Sequence, residues 1–163
     1  MNPKGTVITT VYGKFGEIKD RNISHNIITA QGDAYIADLL SISPVRQKIN
    51  ATNCYVIVGT GYTGINNKNQ TWCNTQVGAG QAVTSPYPQL AGTWGNTGQN
   101  QLNFQFTFAA GTLNATGINE ACITSASIQG GTTTCLAYAQ VSSINVSTSD
   151  SLAITWQIVF LGS

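Results

Sequence analysis

Apolar and polar side chains alternate most regularly in the last part of the chain. From Leu152 to Phe160 the even positions are large and apolar, while the odd positions are mostly small or polar. This two-residue period is typical of a β-strand with one buried face. Trp156 lies at the centre of the pattern, and burying its indole would remove a large apolar area from water. The pattern therefore predicts a strand that pairs inside a sheet, with Trp156 as a structural residue.

A second segment, residues 102–108, shows the same alternation, with one leucine and three phenylalanines separated by polar residues. Shorter runs rich in β-branched and aromatic residues predict further strands, at 6–12, 54–58, 115–123, 125–128 and 135–141. Glycine and Asx residues separate these runs at roughly 8–12-residue intervals, as in all-β folds. We predict a single β-sandwich or jelly-roll-like domain over 26–163, with 1–25 as an N-terminal strand pair or arm in the same structural unit.

One segment has helical rather than strand spacing. Its apolar residues recur at intervals that place them on one face of a short helix, over about residues 32–42. The residues of this face are Tyr35, Ile36, Leu39, Leu40 and Ile42. Thr29 or Asp33 can cap the start of the helix, and Pro44 is expected to end it. The helix is expected to close one end or edge of the sheets.

The composition narrows the class of protein. Charged residues make up 8% of the chain, against about 25% in an average domain. The net charge of +1 provides no field that would recruit nucleic acid or an anionic membrane. No apolar run is long enough to span a bilayer, and the first residues lack the apolar core of a signal peptide. Such a composition is typical of β-rich extracellular or particle-surface proteins, and low charge is compatible with a subunit that assembles.

The most irregular part of the sequence, residues 61–103, predicts long polar loops. Glycine, asparagine, glutamine, threonine and proline surround three aromatic residues there, Trp72, Tyr87 and Trp94. Exposed aromatic residues could anchor a subunit interface or stack on sugars, and we favour the interface. Tyr12, in the N-terminal strand, is the fourth candidate interface residue.

Glu120 is the acidic residue with the greatest chemical interest, because it lies among apolar strand residues. We favour a structural role, in which its carboxylate accepts hydrogen bonds at a strand end. A glycosidase role would need a second carboxylate about 5–10 Å away, which only the fold could provide. Gly59 and Gly61 are predicted to form a tight turn and do not make a nucleotide-binding fingerprint. With His25 as the one histidine and no nucleophile motif, we predict no catalytic residues, cofactor or metal site.

The four cysteines, Cys54, Cys73, Cys122 and Cys135, show no C-x-x-C spacing. A zinc site would need all four thiolates from scattered strands, so we favour reduced, buried side chains. Cys122 and Cys135 flank a predicted hairpin and could lie on adjacent strands. The sequence leaves a disulfide between them open.

Several short motifs occur in an order that resembles a loose group of tailed-bacteriophage virion proteins. These motifs are Asn26–Thr29 with Gly32, Ile36–Leu40, Tyr55–Gly61, Ile118–Cys122 and Leu152–Phe160. Cys122 departs from the pattern, because the group has a glycine there. The motifs touch most of the chain but leave residues 62–103 without a counterpart.

The resemblance implies a β-sandwich subunit of the virion, commonly assembled as a trimer. The group includes capsid-decorating (cement) proteins and tail or fibre components. We therefore expect a decoration protein that binds the major capsid protein and copies of itself at capsomer junctions on the capsid surface. The alternative is a tail, baseplate or fibre component that binds host glycans.

Overall fold

The computed structural model describes residues 4–64, 67–91, 100–130 and 133–160. Within these ranges the chain forms nine strands and one helix. In chain order they are β1 (Lys4–Tyr12), β2 (Ile18–Ile28), α1 (Ala30–Leu39), β3 (Tyr55–Gly59), β4 (Gln76–Ala82), β5 (Gln89–Leu90), β6 (Gln101–Phe108), β7 (Ala115–Thr124), β8 (Cys135–Val146) and β9 (Ser151–Val159). The predicted all-β class with one short helix is confirmed.

The nine strands form one antiparallel sheet with the order β4-β3-β7-β8-β2-β1-β9-β6-β5. The sheet curls, because Val83, just after β4, makes an antiparallel bridge with Phe106 of β6. Curling brings distant strands to face each other across a shared apolar core, as the two layers of a sandwich do. Here the facing layers are continuous parts of one hydrogen-bonded sheet.

The N-terminal strand pair lies in the middle of this sheet. β1 pairs with β2 on one side and with β9 on the other. Lys4 lies opposite Val159 and Tyr12 lies opposite Ser151, so β1 runs the full length of β9. Val7 and Val11 of β1 are buried in the core. The N-terminal strands are therefore part of the scaffold on which any functional surface is built.

Several of the largest buried side chains of the core meet where β9 pairs with β6. Trp156 and Phe104 are cross-strand partners, as are Ile154 and Phe106, and all four side chains are buried. The rings of Phe104 and Phe106 are nearly parallel, with their centroids 6.3 Å apart. The alternation predicted for both strands is confirmed, because their inward positions are buried and their outward positions are mostly half-exposed.

The helix begins earlier and ends earlier than its apolar pattern predicted. Thr29 caps its start, and the hydroxyl accepts a hydrogen bond from the backbone N–H of Gly32 over 3.0 Å. Tyr35 is buried against the end of the sheet. Leu40 and Ile42, which the pattern placed on the buried face, are 82% and 103% exposed because the helix ends at Leu39. For these two residues the prediction was wrong.

The turn between β8 and β9 is organised by the buried side chain of Asp150. Its carboxylate accepts hydrogen bonds from the backbone N–H and the hydroxyl of Ser147, over 3.0 and 2.8 Å. The ammonium group of Lys19, from the neighbouring hairpin, donates to both carboxylate oxygens over 3.1 and 2.9 Å. These contacts lower the pKa of Asp150 to about 2, with the Ser147 N–H as the largest cause.

We expect Asp150→Asn to change how stability depends on pH. A lowered folded-state pKa contributes stability that is present above the unfolded pKa and is lost as the pH falls through the folded pKa. The advantage of the wild type over the variant should therefore be complete above about pH 5 and shrink as the pH falls towards about pH 2. Denaturant midpoints of both proteins, measured across this window, provide the test. An advantage that stays constant from neutral pH to pH 2 would contradict the assignment.

Candidate functional site

A second, smaller apolar cluster lies on the outer face of β3, β7 and β8. Ile57, Cys122 and Tyr138 are neighbours across these three strands. Their side chains pack with Trp72 and Cys73 and are separate from the main core. We call residues 60–64 and 67–76 the outer segment, because this part of the chain covers the cluster. Two glycines and a buried carboxylate determine how the outer segment is held.

Glu120 of β7 provides that carboxylate, and its side chain is 0% exposed. One oxygen, Oε1, accepts hydrogen bonds from the backbone N–H groups of Gly61 and Thr75, each over 2.9 Å. The other, Oε2, accepts from the backbone N–H of Asn74 over 3.0 Å and from the hydroxyl of Tyr138 over 2.7 Å. Three of the four donors belong to the outer segment, so Glu120 attaches both ends of that segment to β7.

This arrangement determines what Glu120 can do chemically. A general acid must reach its substrate, and a fully buried carboxylate with four donors around it has no access to one. The four donors to Glu120 are three backbone N–H groups and one hydroxyl, so all of them are neutral. The ion pairs within the described ranges, Lys19–Asp150 and Lys68–Asp33, do not include Glu120. The carboxylate has the hydrogen bonding that a structural role requires.

Gly59 and Gly61 permit the close approach of the outer segment. A Cβ atom on Gly59 would lie 2.5 Å from Oε1 of Glu120 and 2.5 Å from the carbonyl oxygen of Thr75. On Gly61 it would lie 2.7 Å from the backbone nitrogen of Thr75. These separations are shorter than any side chain tolerates, so glycine is required at both positions by packing. The turn that the sequence indicated here is thus also a contact site for Glu120.

Trp72 does not belong to an exposed surface. It is 4% exposed, and its indole N–H donates to the side-chain oxygen of Gln76 over 2.9 Å. A side chain buried beneath its own chain cannot anchor a partner or stack on a sugar. The interface prediction for Trp72 was therefore wrong, because the outer segment folds back over the sheet and takes the indole with it.

The two other candidate aromatic residues within the described ranges, Tyr87 and Tyr12, are half-buried. Tyr87 is half-buried against the main core. Tyr12 is half-buried at the end of β1, next to the β1–β2 turn. Trp94 lies outside the described residues. The aromatic residues that the sequence grouped as one kind of site are thus not brought together within the described ranges.

The β1–β2 turn forms an exposed apolar surface that the sequence did not indicate. Phe15 is 89% exposed, and the ammonium group of Lys14 lies 5.8 Å from the centroid of its ring. The turn is held by Glu17, whose carboxylate accepts from the N–H of Phe15 over 3.0 Å and whose carbonyl accepts from Gly13 over 2.8 Å. We call Tyr12, Phe15 and the exposed Ile18 the hairpin surface. The signal that could have revealed this surface is the large apolar residue in the turn between Gly13 and Gly16.

A second apolar surface follows the helix. Leu40, Ile42 and Val45 are 82%, 103% and 89% exposed, and we call them the helix-end surface. Their loop is held to α1 by Asp38, whose carboxylate accepts from the backbone N–H groups of Val45 and Arg46 over 3.3 and 2.8 Å. Exposed apolar groups on a fixed loop lose little entropy on binding, so this surface is suited to a contact.

An apolar cavity of about 200 Å³ lies beneath the helix, next to this surface. Helix residues Ile36 and Leu39 form one side, and strand residues Phe104 and Ile158 form part of the other. Cavities of such size and apolar lining can accept an aromatic or branched aliphatic group. The helix end therefore offers apolar contact both on its loop and in the adjacent cavity.

The two surfaces lie at opposite ends of the strands. The hairpin surface follows Tyr12, opposite the start of β9. The loop of the helix-end surface lies at the other end, because Arg46 lines one pocket with Thr134, just before the part of β8 that pairs with Ile28. Because β1 contains nine residues, the two ends are separated by roughly 25–30 Å at about 3.3 Å per residue. One molecule can therefore contact two different neighbours.

In the described part of the chain, no group of three His, Cys, Asp or Glu residues could hold a metal ion. The helix that the structure describes is too short to cross a bilayer. Comparisons with protein-family models, with curated proteins and with solved structures found no match.

Proposed function

We propose that this chain is a structural protein of a tailed-bacteriophage virion, specifically a decoration (cement) protein on the outer capsid. The observation that carries the proposal is the pair of fixed apolar surfaces at opposite ends of the sheet. A protein that reinforces a shell must contact more than one neighbour, and this geometry supports such bridging. The ordered motifs that resemble virion proteins support the same class.

The proposed mechanism is adhesive. Each large apolar side chain that becomes buried contributes about 1.5–3 kcal/mol before the costs of association. A single subunit would bind modestly, and the repetition of subunits over a symmetric shell would multiply the effect. If binding is tighter to the expanded shell than to its precursor, the expanded form is stabilised by linkage. The proposed partners are the major capsid protein and further copies of this chain, assembled as a trimer.

The net charge of the chain and the surroundings of Glu120 both support a structural role in the virion. The net charge of +1 does not suit a protein that must hold nucleic acid through phosphate contacts. The buried carboxylate of Glu120, for which a glycosidase role was the alternative to a structural one, binds the outer segment. We accordingly propose a role without catalysis, cofactor or resident metal.

The copy number of the protein in purified virions tests the proposal. Quantitative gel staining against the major capsid protein should give a ratio near one to one for a shell component. Particles that lack the protein should then lose their resistance to heat and osmotic shock. A ratio of a few per cent would instead place the protein on the tail. Glycan binding, with Tyr87→Ala and Trp94→Ala as variants, would then be the property to measure.

We expect substitutions in the two surfaces to weaken attachment without affecting folding. Phe15→Ser and Ile42→Ser each remove an exposed apolar group, so affinity for shells should fall about 10-fold or more. The thermal midpoint should remain nearly unchanged, because surface substitutions usually alter stability by less than about 0.5 kcal/mol. Sedimentation of shells with bound protein provides the measurement.

Ile128→Ser is the matched control, because Ile128 is 70% exposed and lies outside both surfaces. This variant should bind like the wild type. If all three variants bind equally well, the two surfaces are not the contacts. If all three lose affinity equally, general apolar exposure rather than these surfaces determines attachment.

A further inference from the structure

Two buried cysteines approach each other where the outer segment meets β7. The Sγ atoms of Cys73 and Cys122 are 3.3 Å apart, although the residues are 49 positions apart in sequence. All four cysteines are free thiols. A separation of 3.3 Å is short enough that small movements would bring the two sulfurs to the bonded distance of about 2.05 Å.

The hydrogen bonds of Glu120 maintain this proximity. Asn74 and Thr75, directly after Cys73, both donate their N–H groups to Glu120, which precedes Cys122 by two positions on the same strand. Successive odd or even strand positions share a face, so the carboxylate and the Cys122 thiol point to the same side of β7. The carboxylate therefore places Cys73 directly over Cys122.

We propose that Cys73 and Cys122 are a disulfide-forming pair, which bonds the outer segment covalently to β7 under oxidising conditions. This site is distinct from the pair that the sequence suggested, Cys122 and Cys135. The inference does not depend on the proposed virion role. It predicts a dithiol in a reducing cytoplasm and a disulfide outside it.

With oxidised glutathione as the oxidant, the reaction has two exchange steps. The Cys73 thiolate attacks a glutathione sulfur, which breaks the glutathione S–S bond and releases one glutathione thiolate. The Cys122 thiolate then attacks Sγ of Cys73, which forms the protein disulfide and releases the second glutathione. The two thiol protons pass to the released thiolates, and the two electrons reduce glutathione disulfide.

Burial determines the conditions under which this reaction is fast. It raises the pKa of the Cys73 and Cys122 thiols above the ordinary range, so alkaline pH should accelerate the exchange. Cys73 is the more exposed of the two and should react first. During refolding both thiols are accessible, so oxidation need not wait for the folded protein to open.

The test combines two treatments of the full chain. Folded, reduced protein is incubated with oxidised glutathione at alkaline pH, and unfolded, reduced protein is refolded in a glutathione redox buffer. Free thiols are then alkylated and linked peptides are identified by mass spectrometry. We expect one dominant link, Cys73–Cys122, and a thermal midpoint higher by about 5–15 °C that returns to its original value on reduction.

Variants separate this pair from the alternatives. Cys73→Ala should abolish the link and the thermal shift, whereas Cys54→Ala should retain both, because Cys54 lies in the main core. A dominant Cys122–Cys135 link in the wild type would overturn the assignment. So would the absence of any protein disulfide after refolding in the redox buffer.

Discussion

Trp156→Ala is expected to lower the free energy of unfolding by about 3–5 kcal/mol, the usual cost of removing a large aromatic side chain from a core. Trp156 is fully buried and lies between Val7 of β1 and Phe104 of β6 in the sheet register. Its removal would leave a cavity where the central strands meet, and the surrounding sheet can close such a space only in part. Denaturant unfolding of the variant and the wild type measures the difference.

Two further substitutions distinguish the packing of Trp156 from other contributions. The indole N–H has no hydrogen-bond partner among the described residues, so Trp156→Phe should lose only part of the stability, about 1–2 kcal/mol. Gln157→Ala changes the adjacent outward-facing residue and should alter stability by less than about 0.5 kcal/mol. A loss below about 1 kcal/mol for Trp156→Ala would show that the core does not depend on this side chain.

Glu120→Ala is expected to destabilise the protein by about 2–4 kcal/mol and to release the outer segment locally. The substitution leaves three backbone N–H groups and the hydroxyl of Tyr138 without their acceptor. Each buried donor without a partner costs about 1–3 kcal/mol, and water that enters as the segment loosens recovers part of this cost. Hydrogen exchange should therefore accelerate at the amides of Gly61, Asn74 and Thr75.

The matched variant for this prediction is Tyr138→Phe. It removes one of the four donors and leaves the carboxylate in place, so it should cost about 1 kcal/mol and leave the three amides protected. The two variants together separate the loss of the carboxylate acceptor from a general disturbance of the smaller apolar cluster beneath the outer segment. If the three amides in Glu120→Ala exchange at the wild-type rate, Glu120 does not hold the outer segment.

The carboxylate of Glu120 determines two features of the outer segment. It holds the outer segment on β7, and it brings Cys73 to Cys122. Glu120→Gln should therefore also slow disulfide formation in the folded protein, since an amide nitrogen cannot accept from these donors. The hairpin surface and the helix-end surface, which we propose as contacts, lie elsewhere, so the affinity for shells should not change in that variant.

The sequence by itself determined the elements whose signals are local. Alternation over residues 102–108 and 152–160 predicted β6 and β9, because strand pleating places successive side chains on opposite faces. Thr29 was among the candidate caps because a cap bonds to an amide only three residues away. The role of Glu120 as a hydrogen-bond acceptor was also the favoured interpretation, because a carboxylate among apolar strand residues needs donors.

Only the tertiary structure decided which distant groups meet. The amide donors to Glu120 are 45 to 59 positions away in sequence, so no local period encodes them. The burial of Trp72 and the exposure of Leu40 depend on how the outer segment and the helix end fold back. The curling of the nine-stranded sheet brings Val83, just after β4, to Phe106 of β6, two positions that are 23 residues apart in sequence. Side-chain pattern sets the face that each strand buries, whereas chain folding alone selects the partner across that face.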